Sequence, residues 1–258
     1  MEEMDLTYNE LVRRWKALRG SGGLRVREVA CVGAPRTLLC AESGEAEQPV
    51  VALAAGIHGD EPAAAWALLD CAERGLLDEH FAYRIWPCTN PTGFERGTRR
   101  SVDDVDVNRT FGRGGQSPEA KAILTANRDR SFVLSIDFHE DCDATGFYCY
   151  DYADASHKLG ERIVDAVTRG GFPLQDFHGF DLGVALPEDK IRFEPGLVYA
   201  DPAAEAEALG AQTYSLILAR RAAKNVLTFE TPSTARWEDR VTMHCAALQA
   251  ALSALRTM

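Results

Sequence analysis

The run Ser131-Phe132-Val133-Leu134-Ser135-Ile136-Asp137-Phe138 constrains this chain more than any other stretch. A near-continuous apolar run of that length suits a strand buried on both faces at the centre of a sheet. Val50 to Ala54 has the same character. It is followed by Ala63 to Cys71, alanine- and leucine-rich, which reads as a helix with Pro62 near its first turn. Phe81 to Pro87 alternates and stops at proline, a strand pattern, and Asn225 to Phe229 is another short apolar strand. Leu24 to Val32, Thr37 to Cys40 and Gly146 to Tyr150 read as further strands. Helical patterns cover Leu6 to Leu18, Pro118 to Asn127, Ser156 to Arg169, Pro202 to Leu209 and Arg236 to Met258. Strands alternating with helices predict an α/β fold, with a mixed, largely parallel twisted sheet and helices on both faces. A length of 258 residues suits one such domain, spanning 1–258. Cys88 to Ser117 and Phe172 to Ala200 carry no clear period and read as irregular.

The net charge of −11 argues against a nucleic-acid or anionic-membrane partner, and no apolar stretch approaches a membrane span. Met1-Glu2-Glu3-Met4-Asp5 lacks the basic start and apolar middle of a signal peptide. Seven cysteines, odd in number and never spaced Cys-x-x-Cys, fit reduced thiols in a cytoplasmic protein.

Chemistry concentrates where strands end. Gly56-Ile57-His58-Gly59-Asp60-Glu61-Pro62 places a histidine and a glutamate three apart in the turn after a strand. Ligands bind at that edge of an open α/β sheet. An imidazole and a carboxylate can converge there on one cation, and zinc takes both ligand types, with Gly56 and Gly59 keeping side chains away from the metal. The alternative is an ordinary polar turn. His139 ends the central strand, as a third ligand or as an edge histidine. The long loop carries Arg96, Arg99, Arg100, Arg109 and Arg113. It is either an anion site or a solvated loop whose arginines pair with Asp103, Asp104 and Asp106. Glu230 follows the last strand, as a catalytic carboxylate or a helix cap.

Taken in order, His58-Gly59-Asp60-Glu61, Asn90-Pro91-Thr92-Gly93, Asp106-Val107-Asn108-Arg109, Asp137-Phe138-His139 and Thr228-Phe229-Glu230 resemble the zinc carboxypeptidase family. The resemblance spans roughly residues 50 to 235 and implies one zinc per chain on His58, Glu61 and His139. It further implies that Asp106 orients His58, that Asn108 and Arg109 grip a substrate carboxylate, and that Arg99, or else Arg100, polarises the scissile carbonyl. Glu230 is the implied general base, and Tyr199 or Tyr214 the implied capping tyrosine. Glu140, Asp141 and Asp143 depart from the family pattern and form either a solvated acidic turn or a subsite for a cationic group. His139 comes only 81 positions after His58, a compactness that resembles the aspartoacylase and succinylglutamate desuccinylase group. The implied activity is metallocarboxypeptidase action on a small peptide. The alternative is deacylation of an N-acyl amino acid.

Overall fold

The computed structural model describes residues 6–45, 47–112, 114–152 and 159–258. Among them, nine strands form one sheet: β1 (Arg25–Val29), β2 (Leu38–Ser43), β3 (Val50–Ala55), β4 (Ala82–Trp86), β5 (Leu134–Asp141), β6 (Tyr148–Asp151), β7 (Ile191–Glu194), β8 (Leu197–Ala200) and β9 (Val226–Pro232). Their order across the sheet is β1-β2-β4-β3-β5-β9-β6-β8-β7. The central four strands, β4, β3, β5 and β9, are mutually parallel, and antiparallel pairs flank them. The sheet is mixed with a parallel centre, as the alternation of elements predicts.

Helices α1 (Tyr8–Ala17), α2 (Pro62–Glu73), α5 (Leu159–Arg169) and α8 (Trp237–Arg256) cover one face. Val51, Leu53, Ala55, Ile136 and Phe138 point into that layer. Ala52, Ala54 and Trp86 point the other way, toward α4 (Pro118–Ala126) and α7 (Tyr214–Arg221). Successive strand residues alternate faces, so apolar runs such as β3 and β5 fill two cores at once.

The structure departs from the sequence reading in four places. β5 runs on through His139, Glu140 and Asp141, because β9 supplies partners Glu230, Thr231 and Pro232 for all three. The long loop contains α3 (Pro91–Arg96), with Asn90 accepting from the Gly93 N–H, Pro91 in the first turn and Gly97 left-handed at φ +62°. The stretch from Phe172 to Ala200 contains the antiparallel pair β7–β8. Helix α6 (Pro202–Ala208) falls where it was expected, whereas α7, capped by Thr213, is a helix the sequence reading lacks. Helix α5 begins its described part at Leu159; the expected start at Ser156 lies outside the described residues. No helix among the described residues is long and apolar enough to cross a membrane.

Candidate active site

The side chains of interest gather at the carboxyl ends of β3, β5 and β9, where the parallel strands open into a crevice. His58 and Glu61 leave the turn after β3, and His139 comes from inside β5. All three are buried. Glu61 faces both imidazoles: His58 Nδ1 lies 2.6 Å from its Oε1, and His139 Nδ1 lies 2.8 Å from its Oε2. One ligand-type atom from each residue falls within 4.8 Å of the others. The distal ring nitrogens are backed by carboxylates. Asp137 Oδ2 is 3.1 Å from His139 Nε2, and Asp106 Oδ1 is 3.4 Å from His58 Nε2, close enough for charge attraction but not aligned as a hydrogen bond. This arrangement sets a carboxylate near each Nε2 and turns each Nδ1 inward as a donor atom, the usual support of a metal-ligating histidine.

The donor set fits a divalent cation of zinc's type, with two neutral nitrogens and one carboxylate. Arg99 already approaches it as a positive group. Its Nη1 is 3.2 Å from His58 Nδ1 and 3.7 Å from Glu61 Oε1, while Nε donates to Asp106 Oδ2 at 3.2 Å. Burial raises the Glu61 carboxyl, but the two histidines outweigh it and hold the group below the usual carboxylate range. Asp106 is likewise driven up by burial and down, more strongly, by its contact with His58 and by Arg99 and Arg109.

Alternation along the strands sorts the remaining groups. His139, Asp137 and Asp141 share the crevice face of β5, whereas Phe138 and Glu140 share the helix face. Glu140 is therefore neither a solvated acid nor a subsite. It is buried, its Oε1 accepts the Ala63 N–H at 2.6 Å, and its Oε2 accepts from Arg240 of α8 at 2.6 Å. Glu61 occupies the N-cap position of α2 without capping it, and Glu140 supplies an acceptor to that first turn instead. Asp141 accepts from the Tyr148 hydroxyl at 2.6 Å and from the Asp143 N–H, and Asp143 is exposed.

Glu230 lies opposite His139 on β9 and opposite Tyr148 on β6. No hydrogen bond among the described residues ties down its carboxyl. Burial pushes that carboxyl well above its usual value; His139 opposes the rise, and Glu61, Asp141 and Asp137 add to it. Asn108 is fixed by the Tyr214 N–H, which donates to its Oδ1 at 2.9 Å, and its Nδ2 lies 3.4 Å from His139 Nε2. Arg109 is exposed, with Nη1 donating to the Asn108 carbonyl at 3.2 Å and no carboxylate partner among the described residues. The expected pairing with Asp103 or Asp104 is thus absent there. Arg100 instead takes Asp104, donating to its carbonyl at 2.8 Å away from the centre. Arg113 lies outside the described residues.

Two expectations need correction. Neither Tyr199 nor Tyr214 borders the crevice: Tyr199 lies under the Arg192 guanidinium, and the buried Tyr214 ring packs on Phe111. The tyrosines on the wall are Tyr148, Tyr150 and Tyr152, every second residue along β6 and just beyond it, a pattern readable as one face of a strand. Gly59 is needed for packing, since a Cβ there would sit 1.9 Å from the Gly93 carbonyl carbon; Gly56 is left-handed at φ +62°, beside Cys88. Neither glycine's requirement comes from the metal position.

This sheet, with a His-Glu-His cluster at its parallel carboxyl edge, defines a zinc-carboxypeptidase-like fold. A Shewanella denitrificans protein assigned as a metallopeptidase superposes with a TM-score of 0.77 at 21% identity, covering 96% of this chain and 90% of that one. Residues 47–175 match the succinylglutamate desuccinylase/aspartoacylase catalytic domain, half of the sequence, and the chain belongs to that family. Murein peptide amidase A of Escherichia coli (strain K12) is 34% identical over 80 residues, 31% of this chain and 32% of that protein. Carboxypeptidase SOL1 of Arabidopsis thaliana is 31% identical over 117 residues, 37% of this chain and 24% of that protein. These matches span a quarter to a third of the curated relatives.

Proposed function

We propose that the chain, 1–258 acting as one catalytic domain, is a zinc-dependent amide hydrolase. In this reading it works as a metallocarboxypeptidase, cutting the bond next to a free carboxylate in a small peptide. The observation that carries this is the convergence of His58, Glu61 and His139 beside Glu230 and Arg109, which have no side-chain hydrogen-bond or ion-pair partner among the described residues. His58, Glu61 and His139 would hold the zinc, which when bound would supply Lewis-acid chemistry to water and an amide carbonyl. The protein's own groups do the rest. Asp106 and Asp137 hold the imidazoles in the tautomer that points Nδ1 inward. Arg109 offers a two-pronged guanidinium to a carboxylate, and Asn108 an amide hydrogen. That grip fixes the scissile bond against Glu230, which takes the proton of the attacking water and returns it to the leaving amine. Arg99, at the rim of the centre, donates to the developing oxyanion.

The family match favours a second reading on the same residues, deacylation of an N-acyl amino acid. Both readings need a carboxylate on the amine-side product. The relatives' names, a murein peptide amidase and a carboxypeptidase, favour a peptide. All seven cysteines are free thiols, which supports a cytoplasmic setting.

The test is a screen of short peptides against N-acyl amino acids, run with wild type and Glu230→Gln, alongside elemental analysis. We expect one zinc per chain, lost in His58→Ala and His139→Ala. Glu230→Gln should keep the metal but lose on the order of a hundred-fold or more in turnover. Near-normal turnover in that variant would remove Glu230 from the reaction, and full zinc retention in both histidine variants would end the metal assignment.

A further inference from the structure

The crevice extends well past Glu230. Its wall follows β6 and β9 by way of Tyr150 and Thr228 to Tyr152 and includes Glu205 of α6, in an open crevice of about 500 Å³. The strand register measures the depth. Tyr148 is opposite Glu230, Tyr150 is opposite Thr228, and the Tyr152 N–H donates to the Val226 carbonyl. At about 3.3 Å per residue, Tyr152 lies about 13 Å along the strand from Tyr148.

Glu205, against the Tyr152 hydroxyl, is a charged group of that wall. It is 6% exposed. Its Oε1 accepts from the Tyr152 hydroxyl at 3.2 Å, while its Oε2 is buried with no partner. No cation pairs with it among the described residues. Arg109, the nearest positive influence, sits toward the metal end and acts only through its field. The neighbouring wall is neutral: Leu209, Thr213, and Ser215, whose hydroxyl is engaged with Thr228 at 2.8 Å. A buried carboxylate without a cation is costly, and folded proteins seldom leave such a group half-satisfied where nothing uses it.

Building on the hydrolase reading above, we propose that Glu205 selects an amine-side residue whose side chain ends in a cation, of which lysine is the simplest case. The charges then match end to end. Arg109 and Asn108 take the carboxylate of that residue, the stem crosses the stacked Tyr150 and Tyr152 rings, and the ammonium reaches Glu205. An acidic side chain meets the field of Glu205 and is rejected. A neutral chain of equal length fits but leaves Oε2 unpaired.

Calorimetric titration of the zinc-loaded protein with L-lysine, L-norleucine and L-glutamate tests this without depending on turnover. Wild type should bind lysine roughly 30-fold more tightly than norleucine, and glutamate least. In Glu205→Gln, checked for folding by circular dichroism, the lysine-to-norleucine ratio should fall to near one. The wild-type comparison decides on its own should the variant not fold. Absent lysine binding, equal binding of lysine and norleucine, or tighter binding of glutamate would each overturn the proposal, as would an unchanged ratio in the folded variant. A lysine preference in a protein that cleaves neither peptides nor N-acyl amino acids would uphold the subsite and end the hydrolase reading.

Discussion

Arg99 and Arg100 each have a carboxylate, Asp106 and Asp104 respectively, but Arg109 has none among the described residues. A guanidinium kept free at the wall of a crevice is suited to an anion that arrives with the substrate. Amidating the substrate carboxylate should therefore cost wild type roughly 2–5 kcal/mol in catalytic efficiency. Arg109→Met should lose activity on the free acid and be nearly indifferent to amidation. The decisive number is the acid-to-amide ratio in the two proteins, and an unchanged ratio refutes the grip. His58, Glu61, His139 and Glu230 were legible because each follows a run whose apolar character marks a strand. Glu205 was not. Within Pro202-Ala203-Ala204-Glu205-Ala206-Glu207-Ala208 it looks like any surface glutamate, and its burial depends on Tyr152, some fifty positions earlier. That burial has a separate consequence for stability. It pushes the Glu205 carboxyl up to about 7 from an ordinary 4.5, against the pull of Tyr152 and Arg109. The folded protein therefore holds this proton more tightly than the unfolded chain. The related stability is fully present below pH 4.5 and is lost as pH rises toward 7 and beyond. Glu205→Gln removes the loss, so the variant should gain on wild type by as much as roughly 3 kcal/mol between pH 4 and pH 8. Urea midpoints across that range check it, and a pH-independent difference rules it out.

At the level of elements, α2 is held by a relay that its own sequence does not announce. Glu61 sits at the N-cap but turns to the histidines, so Glu140 reaches across from β5 to the Ala63 N–H. Arg240 of α8, stacked on Trp237, neutralises Glu140. Arg240→Met would leave that carboxylate buried and unpaired, at a cost of about 3–5 kcal/mol in urea denaturation. The double variant with Glu140→Gln should recover a large part of the loss, because no charge is then stranded. A single-variant loss below about 1 kcal/mol would mean that the pair is effectively solvated. The same contrast explains which elements were readable. Strand β3 is apolar on both faces, and β4, β5 and β9 each keep a continuous apolar face toward the α2–α8 layer, so all four declare themselves. The β7–β8 hairpin lies between prolines, has half-exposed and charged positions, and exists through pairing at the sheet edge. Helix α3 did carry its signals, with Asn90, Pro91 and Gly97 at its ends, but at six residues it falls below the length at which a hydrophobic period can be recognised.

On the scale of the whole molecule, the proposed centre joins parts far apart in sequence. His58 and Glu61 belong to the β3–α2 turn, His139 to β5, and Asp106 and Asn108 to the long loop that also carries α3. A chain of net charge −11 concentrates Glu61, Asp106, Asp137 and Glu230 around two histidines, so a divalent cation would relieve repulsion as well as tie these segments together. A ligand that binds only the folded state stabilises it by mass action, about 4 kcal/mol when its free concentration is a thousand times its dissociation constant. For a chain of this length that corresponds to a rise on the order of 10 °C in melting temperature. Stripping metal with a chelator and then titrating zinc back should therefore lower and restore the melting temperature of wild type, with the midpoint rising steadily as free zinc increases. His58→Ala should melt at one temperature in chelator and in zinc, because two remaining ligands hold the ion weakly. Glu205→Gln, on the crevice wall against Tyr152, should keep the full zinc response. Equal melting temperatures for chelated and zinc-loaded wild type would mean that the His58, Glu61 and His139 cluster is satisfied by Arg99 and its own hydrogen bonds, with no part for a metal in holding the crevice together.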